Sequence, residues 1–293
     1  MRIIRFSKEG ELQLAAVTDE ANIYALPFAN FLSLMEEAER KGGTCLSLVK
    51  QVIQDSLPLE EKLDDLSLQV PVDAYEVWAS GVTYVKSRDA RNYESKAVTD
   101  SYYDKVYVAD RPELFLKSTG RRTIGPRAPL YLRSDSNWQI PEPELGLVLN
   151  RAGKIVGYTI GNDMSSRDIE GENPLYLTQA KIWKHSCSIG PAIRLAETVA
   201  DPYRLTITCR IVRDGAIVFE DSASTSQLKR TYDELVSYLL RDNEIFDGTV
   251  LLTGTCIVPD SQFTLKVEDR IDIEIPEIGL LSNPVKEQVS VKI

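Results

Sequence analysis

A single histidine, His185, stands in 293 residues, and the four cysteines (Cys45, Cys187, Cys209 and Cys256) lie far apart with no C-x-x-C pair among them. Such a set spells neither a zinc knuckle nor a dithiol redox motif, and free thiols fit a reducing compartment. No run of about 18 uninterrupted apolar residues occurs. The opening residues, Met1-Arg-Ile-Ile-Arg-Phe-Ser-Lys-Glu, meet charge before any apolar stretch long enough for a secretion signal. A cytoplasmic location with no membrane partner is the expectation. Basic residues are outnumbered, 34 against 44 acidic, and the net charge of −10 repels a phosphate backbone, so nucleic acid is not an expected partner. No G-x-x-x-x-G-K-[ST] loop and no glycine-rich strand-to-helix fingerprint is present, which excludes the common phosphate cradles. Repeats of fixed period and low-complexity tracts are also missing, and with them solenoids and disordered tails.

What is present is ordinary globular material, 43% hydrophobic and 27% charged, enough for one large domain or one large and one small. Strand-like runs at Met1 to Phe6 and Leu12 to Val17 lead into a stretch from Phe28 to Ile53 with apolar residues near helical spacing, including Phe28, Leu32, Met35 and Leu48. Prolines at Pro58 and Pro71 then punctuate the chain. The expectation is an α+β protein with a small N-terminal α+β domain over 1–70 and a mainly β domain over 71–293. Strand candidates in the larger part are Leu145 to Leu149, Ile155 to Gly161, Leu205 to Val212 and Ile271 to Ile275, with one late helix around Gln227 to Leu240. Ser47-Leu-Val-Lys50 fits the S-x-x-K spelling of some acyl enzymes, but its partner motifs are absent and chance accounts for it. Tyr102, Tyr103 and Tyr107 are candidates for the rim of a pocket, although packed or half-exposed positions are the default for tyrosine.

The segment from Pro141 to Asp163 reads as strand, tight turn over Arg151-Ala-Gly-Lys154, and strand. A turn centred between Ala152 and Gly153 puts Glu142 opposite Asp163, and Glu144, two residues along, shares their face while Leu145, Leu147 and Leu149 turn away. Like charges at ~4 Å repel by about 4 kcal/mol at an effective dielectric near 20, so either a proton is shared or a cation sits among the three. Oxygen-only ligands favour Mg²⁺, with Mn²⁺ or Ca²⁺ as substitutes, over Zn²⁺. A solvated acidic sheet edge has the same spelling, and spacing alone leaves the two readings even. The following Asn162-Asp163-Met-Ser-Ser-Arg167-Asp168-Ile-Glu170 packs ionisable residues at a strand end, where sites are usually built. Lys181 lies downstream and is placed to bring a proton or a positive charge toward a bound anion.

At these residues the chain resembles the fumarylacetoacetate hydrolase family. The likeness rests on Glu142-Pro-Glu144, on Gly157-Tyr-Thr-Ile-Gly-Asn-Asp-Met-Ser-Ser-Arg-Asp168, on Lys181 ahead of Gly190-Pro191, and on Thr253-Gly-Thr255. Together, over about residues 75 to 290, these pieces are specific. The resemblance implies a mixed β-roll or β-sandwich, Mg²⁺ held by Glu142, Glu144 and Asp163, a 2-oxo acid substrate completing the metal shell, and a homodimer or homotetramer. It also implies Lys181 as the active-site lysine, Arg167 as a supporting arginine, and Thr255, with Gly254 before it, as contacts to the substrate's acid end. Many hydrolases and isomerases of the family carry a catalytic histidine in the segment matching Gly81-Val-Thr-Tyr84-Val-Lys-Ser-Arg88-Asp, where this chain has none. The branch without that histidine that the chain resembles is the 2-keto-3-deoxy-D-arabinonate dehydratase branch. That likeness extends through Arg111-Pro-Glu113-Leu-Phe-Leu-Lys117, Arg133 to Glu144, Glu172 to Leu177, and Asp247-Gly-Thr249.

A 2-oxo acid chelating Mg²⁺ has acidified C3 hydrogens and a stabilised enolate, and a C4 hydroxyl then departs as water once it is protonated. Glu113 is the expected general base or water-activating group, with its pKa raised by burial. Lys181 is expected to stabilise the enolate oxygen or move a proton, and Arg88 to bind substrate hydroxyls or balance the acidic cluster. The leading expectation is thus a Mg²⁺-dependent dehydratase of a 2-keto-3-deoxy sugar acid, taking the pentonate to 2,5-dioxopentanoate. Acylpyruvate hydrolysis or 2-oxo acid decarboxylation uses the same metal-enolate chemistry, and a non-catalytic 2-oxo acid binding protein stabilised by metal is the reading from another class.

Overall fold

The computed structural model describes residues 1–94 and 102–287, with the side chains of 91–94, 102 and 103 outside the description. Its largest sheet runs, in spatial order, Ile23–Leu26, Glu11–Val17, Arg2–Lys8, Cys187–Leu195, Ile155–Asp163, Pro143–Leu149, Thr249–Leu252, Glu76–Gly81 and Glu113–Thr119. Neighbours are antiparallel except that Thr249–Leu252 runs parallel to Glu76–Gly81, and the short strand Thr123–Ile124 also runs parallel to Cys187–Leu195. A second sheet orders Ala216–Ser224, Thr206–Arg213, Arg270–Ile275, Gly279–Glu287 and Leu130–Leu132.

Both faces of the large sheet are covered. Leu145, Leu147, Leu149 and Ile160 pack with Ile207, Ile211, Ile271, Ile273 and Leu281 of the second sheet. On the opposite face Val148, Ile193, Val250 and Leu252 meet Phe31, Leu34, Leu48 and Val49 of two helices. Every residue of Pro143–Leu149 is buried in consequence, which is why this strand reads as a nearly continuous apolar run outside its acidic end. Mixed sheets with few and short helices are what the sequence leads one to expect.

The first 70 residues join this sheet. Arg2–Lys8 pairs with Cys187–Leu195, Arg2 facing Arg194 and Ile3 facing Ile193, and Ile3, Leu14 and Phe31 share a core with Val148, Ile193 and Val250. The expected helical stretch from Phe28 to Ile53 consists of two helices, Phe31–Arg40 and Cys45–Gln54. Gly42, at φ +65°, ends the first, and Thr44 starts the second by accepting from the Ser47 amide while Ser47 Oγ accepts from the Thr44 amide. That reciprocal cap gives Ser47 a structural task, and Lys50 is exposed, so the S-x-x-K spelling is accidental. The late helix begins at Tyr232, because Thr231 caps it through the Glu234 amide.

Candidate metal centre and active site

The hairpin that carries the acidic residues closes on Asn150, whose Oδ1 accepts from the amides of Ala152 and Lys154. Pro143 faces Asn162 and Glu144 faces Gly161, so Glu142 comes opposite Asp163, whose amide donates to the Glu142 carbonyl at 3.0 Å. This is the register expected from the turn. A bulge at Val156, opposite Val148 and Leu149, absorbs the odd residue of the turn. Alternation sends Leu145, Leu147 and Leu149 into the core between the sheets and leaves Glu142, Glu144 and Asp163 together on the other face, all buried, with one carboxylate oxygen of each within 4.8 Å of the others.

Three cations enclose the cluster. Lys181 Nζ lies 2.5 Å from Glu142 Oε2 and 3.2 Å from Asp163 Oδ2, Arg167 Nη2 lies 2.8 Å from Glu142 Oε1, and Lys117 Nζ lies 2.6 Å from Asp163 Oδ1. Glu144 differs: Oε2 accepts from the Gly254 amide at 2.6 Å, and among the described residues it has no ion pair. Burial, then the charges of Asp163 and Glu142, push its carboxyl well above the ordinary range. A hard divalent cation fits this donor set, since every ligand atom is a carboxylate oxygen and Glu144, fully buried, has no ion pair among the described residues.

Short elements deliver the surrounding residues. Arg167 opens the helix Arg167–Glu172, and Lys181 closes the helix Leu177–Lys181. Asp168 holds the wall beside them: its carboxylate accepts from Ser136 Oγ, the Asn137 amide, Ser166 Oγ and the Ile169 amide, while the Arg167 amide donates to the Trp138 carbonyl. Next to Trp138 lies a pocket of about 340 Å³, lined in part by Lys86, Asp89, Val258 and Ser261. Gly254 sits at φ +93°, and a Cβ there would stand 1.9 Å from Thr83 Oγ1, so the amide that reaches Glu144 belongs to a residue that must be glycine. Thr255 is buried, and its Oγ1 accepts from the Ile257 amide at 3.1 Å.

Glu113 arrives from the strand Glu113–Thr119. Phe115, two residues on and on the same face, lies 5.5 Å beneath Lys181 Nζ, and Glu113 therefore points to the cluster's side of the sheet. Arg88 is not brought to the cluster. It sits on the helix Val85–Glu94, with contacts to Asp89, Asp104 and the Tyr107 ring. The side chains of Tyr102 and Tyr103 lie outside the described residues, and the Tyr107 ring takes Lys229 Nζ at 4.4 Å as well as Arg88. His185 stacks on Tyr131 at 4.9 Å, with Nδ1 3.2 Å from the Pro129 carbonyl.

Lys117 is the site residue the sequence reading missed. Its side chain is 0% exposed, and it donates to the carbonyls of Met164 and Lys181 while forming an ion pair with Asp163. Burial depresses its pKa, with the Asp163 charge acting against that. The available signal was a lysine inside an apolar strand, Leu114-Phe-Leu-Lys117. The bulge that re-aims it, where Leu116 faces Trp78 and Ser118 faces Val77, depends on a strand that is distant in sequence.

Comparison with known proteins agrees with the geometry. The family model described as fumarylacetoacetate hydrolase C-terminal matches residues 77–286. The chain is 50% identical over 238 residues, 81% of each chain, to a probable 2-keto-3-deoxyxylonate dehydratase of Haloferax volcanii. It is 41% identical over 290 residues, 98% of this chain and 97% of the other, to the 2-dehydro-3-deoxy-D-arabinonate dehydratase of Saccharolobus solfataricus. A solved structure of 2-keto-3-deoxy-D-arabinonate dehydratase complexed with magnesium and 2,5-dioxopentanoate superposes with a TM-score of 0.83 at 38% identity, over 99% of this chain and 100% of that one.

Proposed function

Because the chain belongs to the fumarylacetoacetate hydrolase family, we propose that it is a Mg²⁺-dependent hydro-lyase that removes water from a 2-keto-3-deoxy pentonate to give 2,5-dioxopentanoate. The observation that carries this reading is the buried triad Glu142, Glu144 and Asp163, in a chain 41% identical along nearly its whole length to a dehydratase of that substrate class.

Glu142, Glu144 and Asp163 would hold the ion, which when bound supplies a Lewis acid for the keto group and makes the C3 hydrogens acidic. Lys181, buried between Glu142 and Asp163, holds a proton beside the keto oxygen. Arg167 fixes Glu142 from the other side. Gly254 and Thr255 border the acid end of the substrate. Glu113 takes the proton from C3 and returns one to the C4 hydroxyl, which leaves as water and creates a double bond between C3 and C4. Moving a proton from C5 to C3 then converts the C5 carbinol, through its enol, to the aldehyde. One carboxylate able to work along C3 to C5 serves both transfers. Arg88, held with Asp89 and Asp104 on the helix Val85–Glu94, has the part of binding the substrate's hydroxyls.

We further propose a cytoplasmic homodimer or homotetramer in which Mn²⁺ or Ca²⁺ replaces Mg²⁺. The all-oxygen donor set supports the exchange of metals, and the exposed Tyr75 and Phe246 rings, 5.4 Å apart, support association with a second copy. The test is incubation of the purified protein with 2-keto-3-deoxy aldonates, with and without Mg²⁺, and products read by mass. Dehydration leaves all five carbons in one product 18 mass units lighter, about one water. Cleavage of the chain or release of CO₂ would replace this reading with a hydrolase or a decarboxylase.

A further inference from the structure

Gly81 ends the strand Glu76–Gly81 and faces Glu113 on the next strand. Its φ lies outside the left-handed region, so the backbone there suits any residue. The reason for glycine is space. A Cβ built on Gly81 would stand 2.0 Å from Glu113 Oε2, 2.6 Å from its carboxyl carbon and 3.3 Å from its Cγ. The carboxyl group of Glu113 therefore lies against the Gly81 backbone, in the volume that any other residue's Cβ would fill.

The direction of that lie matters. The parallel pairing of Leu252 with Ala79, carried two residues on, brings Gly254 beside Gly81, and a Cβ on Gly254 would stand 2.9 Å from the Ser80 carbonyl. The antiparallel pairing of Gly146 with Leu252 brings Gly254 beside Glu144, whose carboxylate accepts from the Gly254 amide. Across the sheet the row thus reads Glu144, Gly254, Gly81, Glu113. Strand spacing of about 4.8 Å puts the two glutamate backbones roughly 14 Å apart along a flat sheet. By folding back over Gly81, Glu113 spans one of those intervals and brings its carboxyl toward Gly254, over which the Thr83 hydroxyl lies, and so toward the metal ligands. We infer that Gly81 is a positioning residue: the berth left by its missing side chain aims Glu113 at the substrate carbons. The inference deepens the dehydratase reading and rests on Glu113 being the proton carrier.

The colliding atoms are the far end of a flexible side chain, so Gly81→Ala is expected to fold and to displace the carboxyl. Displacement of about 1 Å costs roughly 100-fold in turnover. The experiment measures 2-keto-3-deoxy pentonate dehydration by wild type, Gly81→Ala, Glu113→Ala, Glu113→Asp and the corresponding double variants, with melting temperature in EDTA and in Mg²⁺ for each. Gly81→Ala is expected to lower kcat by roughly 100-fold with KM and the Mg²⁺-induced melting shift close to wild type. In the Glu113→Ala background the same substitution is expected to cost nothing more, because the two act as one unit. In the Gly81→Ala background Glu113→Asp is expected to raise turnover, since the shorter side chain carries its carboxyl carbon where Cγ now lies, 3.3 Å from the new methyl, whereas with glycine in place it lowers it.

Turnover by Gly81→Ala within about three-fold of wild type, or an equal loss with and without Glu113, overturns the inference and leaves the dehydratase reading standing. Should Gly81→Ala fail to fold, the double variant with Glu113→Ala decides, because removal of the clash must restore the fold if the clash is the cause. A wild type inert toward every 2-keto-3-deoxy acid brings down the dehydratase reading and this inference with it.

Discussion

Lys117→Met removes a buried ammonium while keeping the length and most of the volume of the side chain, so it isolates charge and hydrogen bonding from packing. In the structure this ammonium pairs with the Asp163 charge, 2.6 Å from Oδ1, hydrogen-bonds the Met164 carbonyl at 2.7 Å and the Lys181 carbonyl, and lies 5.2 Å above the Trp183 ring. Breaking a buried ion pair by deleting one partner costs about 3–5 kcal/mol, because the remaining charge stays desolvated and unpaired. At about 2–4 °C per kcal/mol for a chain of this size, the melting temperature in EDTA is expected to fall by about 6–20 °C. Two further readouts separate this cause from general damage. Mg²⁺ is expected to raise the melting temperature of the variant more than that of the wild type, since the cluster it enters has lost one competing cation. The double variant Lys117→Met/Asp163→Asn is expected to be more stable than Lys117→Met alone, because the orphaned anion is gone. A Lys117→Met protein within about 1 kcal/mol of wild type in EDTA, with an unchanged Mg²⁺ response, would refute the reasoning.

Other consequences are equally open to measurement. Glu144→Gln replaces a carboxyl already pushed toward its neutral form by burial with a neutral isostere. Melting in EDTA should therefore be unchanged or raised, while the Mg²⁺ shift, about 2.7 kcal/mol at a hundredfold excess over Kd in wild type, should disappear. Asp168→Asn weakens a carboxylate held by four donors and should cost about 1–2 kcal/mol at neutral pH. The Asp168 carboxyl is held below its ordinary value despite partial burial, through those donors. Its stabilising contribution is thus fully present above about pH 4 and should fade as pH falls through the depressed value, so urea midpoints of the two proteins should converge in strong acid. Removal of divalent metal by EDTA should abolish turnover, and Mg²⁺ should restore it; activity that survives dialysis against chelator would count against a metal at the triad.

The local part of the site was legible and the distant part was not. A turn with glycine at Gly153 fixes a register within some twenty residues of chain, and that register alone brings Glu142, Glu144 and Asp163 to one face. Strand limits followed the apolar runs to within a few residues for the same reason. Apolar spacing marks Phe28 to Ile53 as helical but does not show the break at Gly42 or the cap at Thr44, which depend on single residues. Lys117 was invisible because its partners, Asp163 and the carbonyls of Met164 and Lys181, lie 46 to 64 positions away, and nothing in the strand itself states which face is next to them. The meaning of Gly81 depends on a cross-strand neighbour 32 positions on, which no local pattern shows. The union of residues 1–70 with the rest is the extreme case, a pairing of Ile3 with Ile193 that no local pattern encodes.

That pairing has a bearing on how the chain is made. A ribosome adding about 5–20 residues per second releases Arg2–Lys8 roughly 10–40 s before Cys187–Leu195 emerges, and although Ser67–Leu68 covers Phe6 and Ser7 earlier, the Arg2–Ile3 end of the hairpin with Glu11–Val17 keeps its backbone edge open meanwhile. Such an edge is a template for pairing with any other nascent strand. Slowing translation between residues 20 and 190, or crowding ribosomes on one message, should therefore lower the soluble yield of this protein out of proportion to its equilibrium stability, with a holdase that covers extended segments as the remedy.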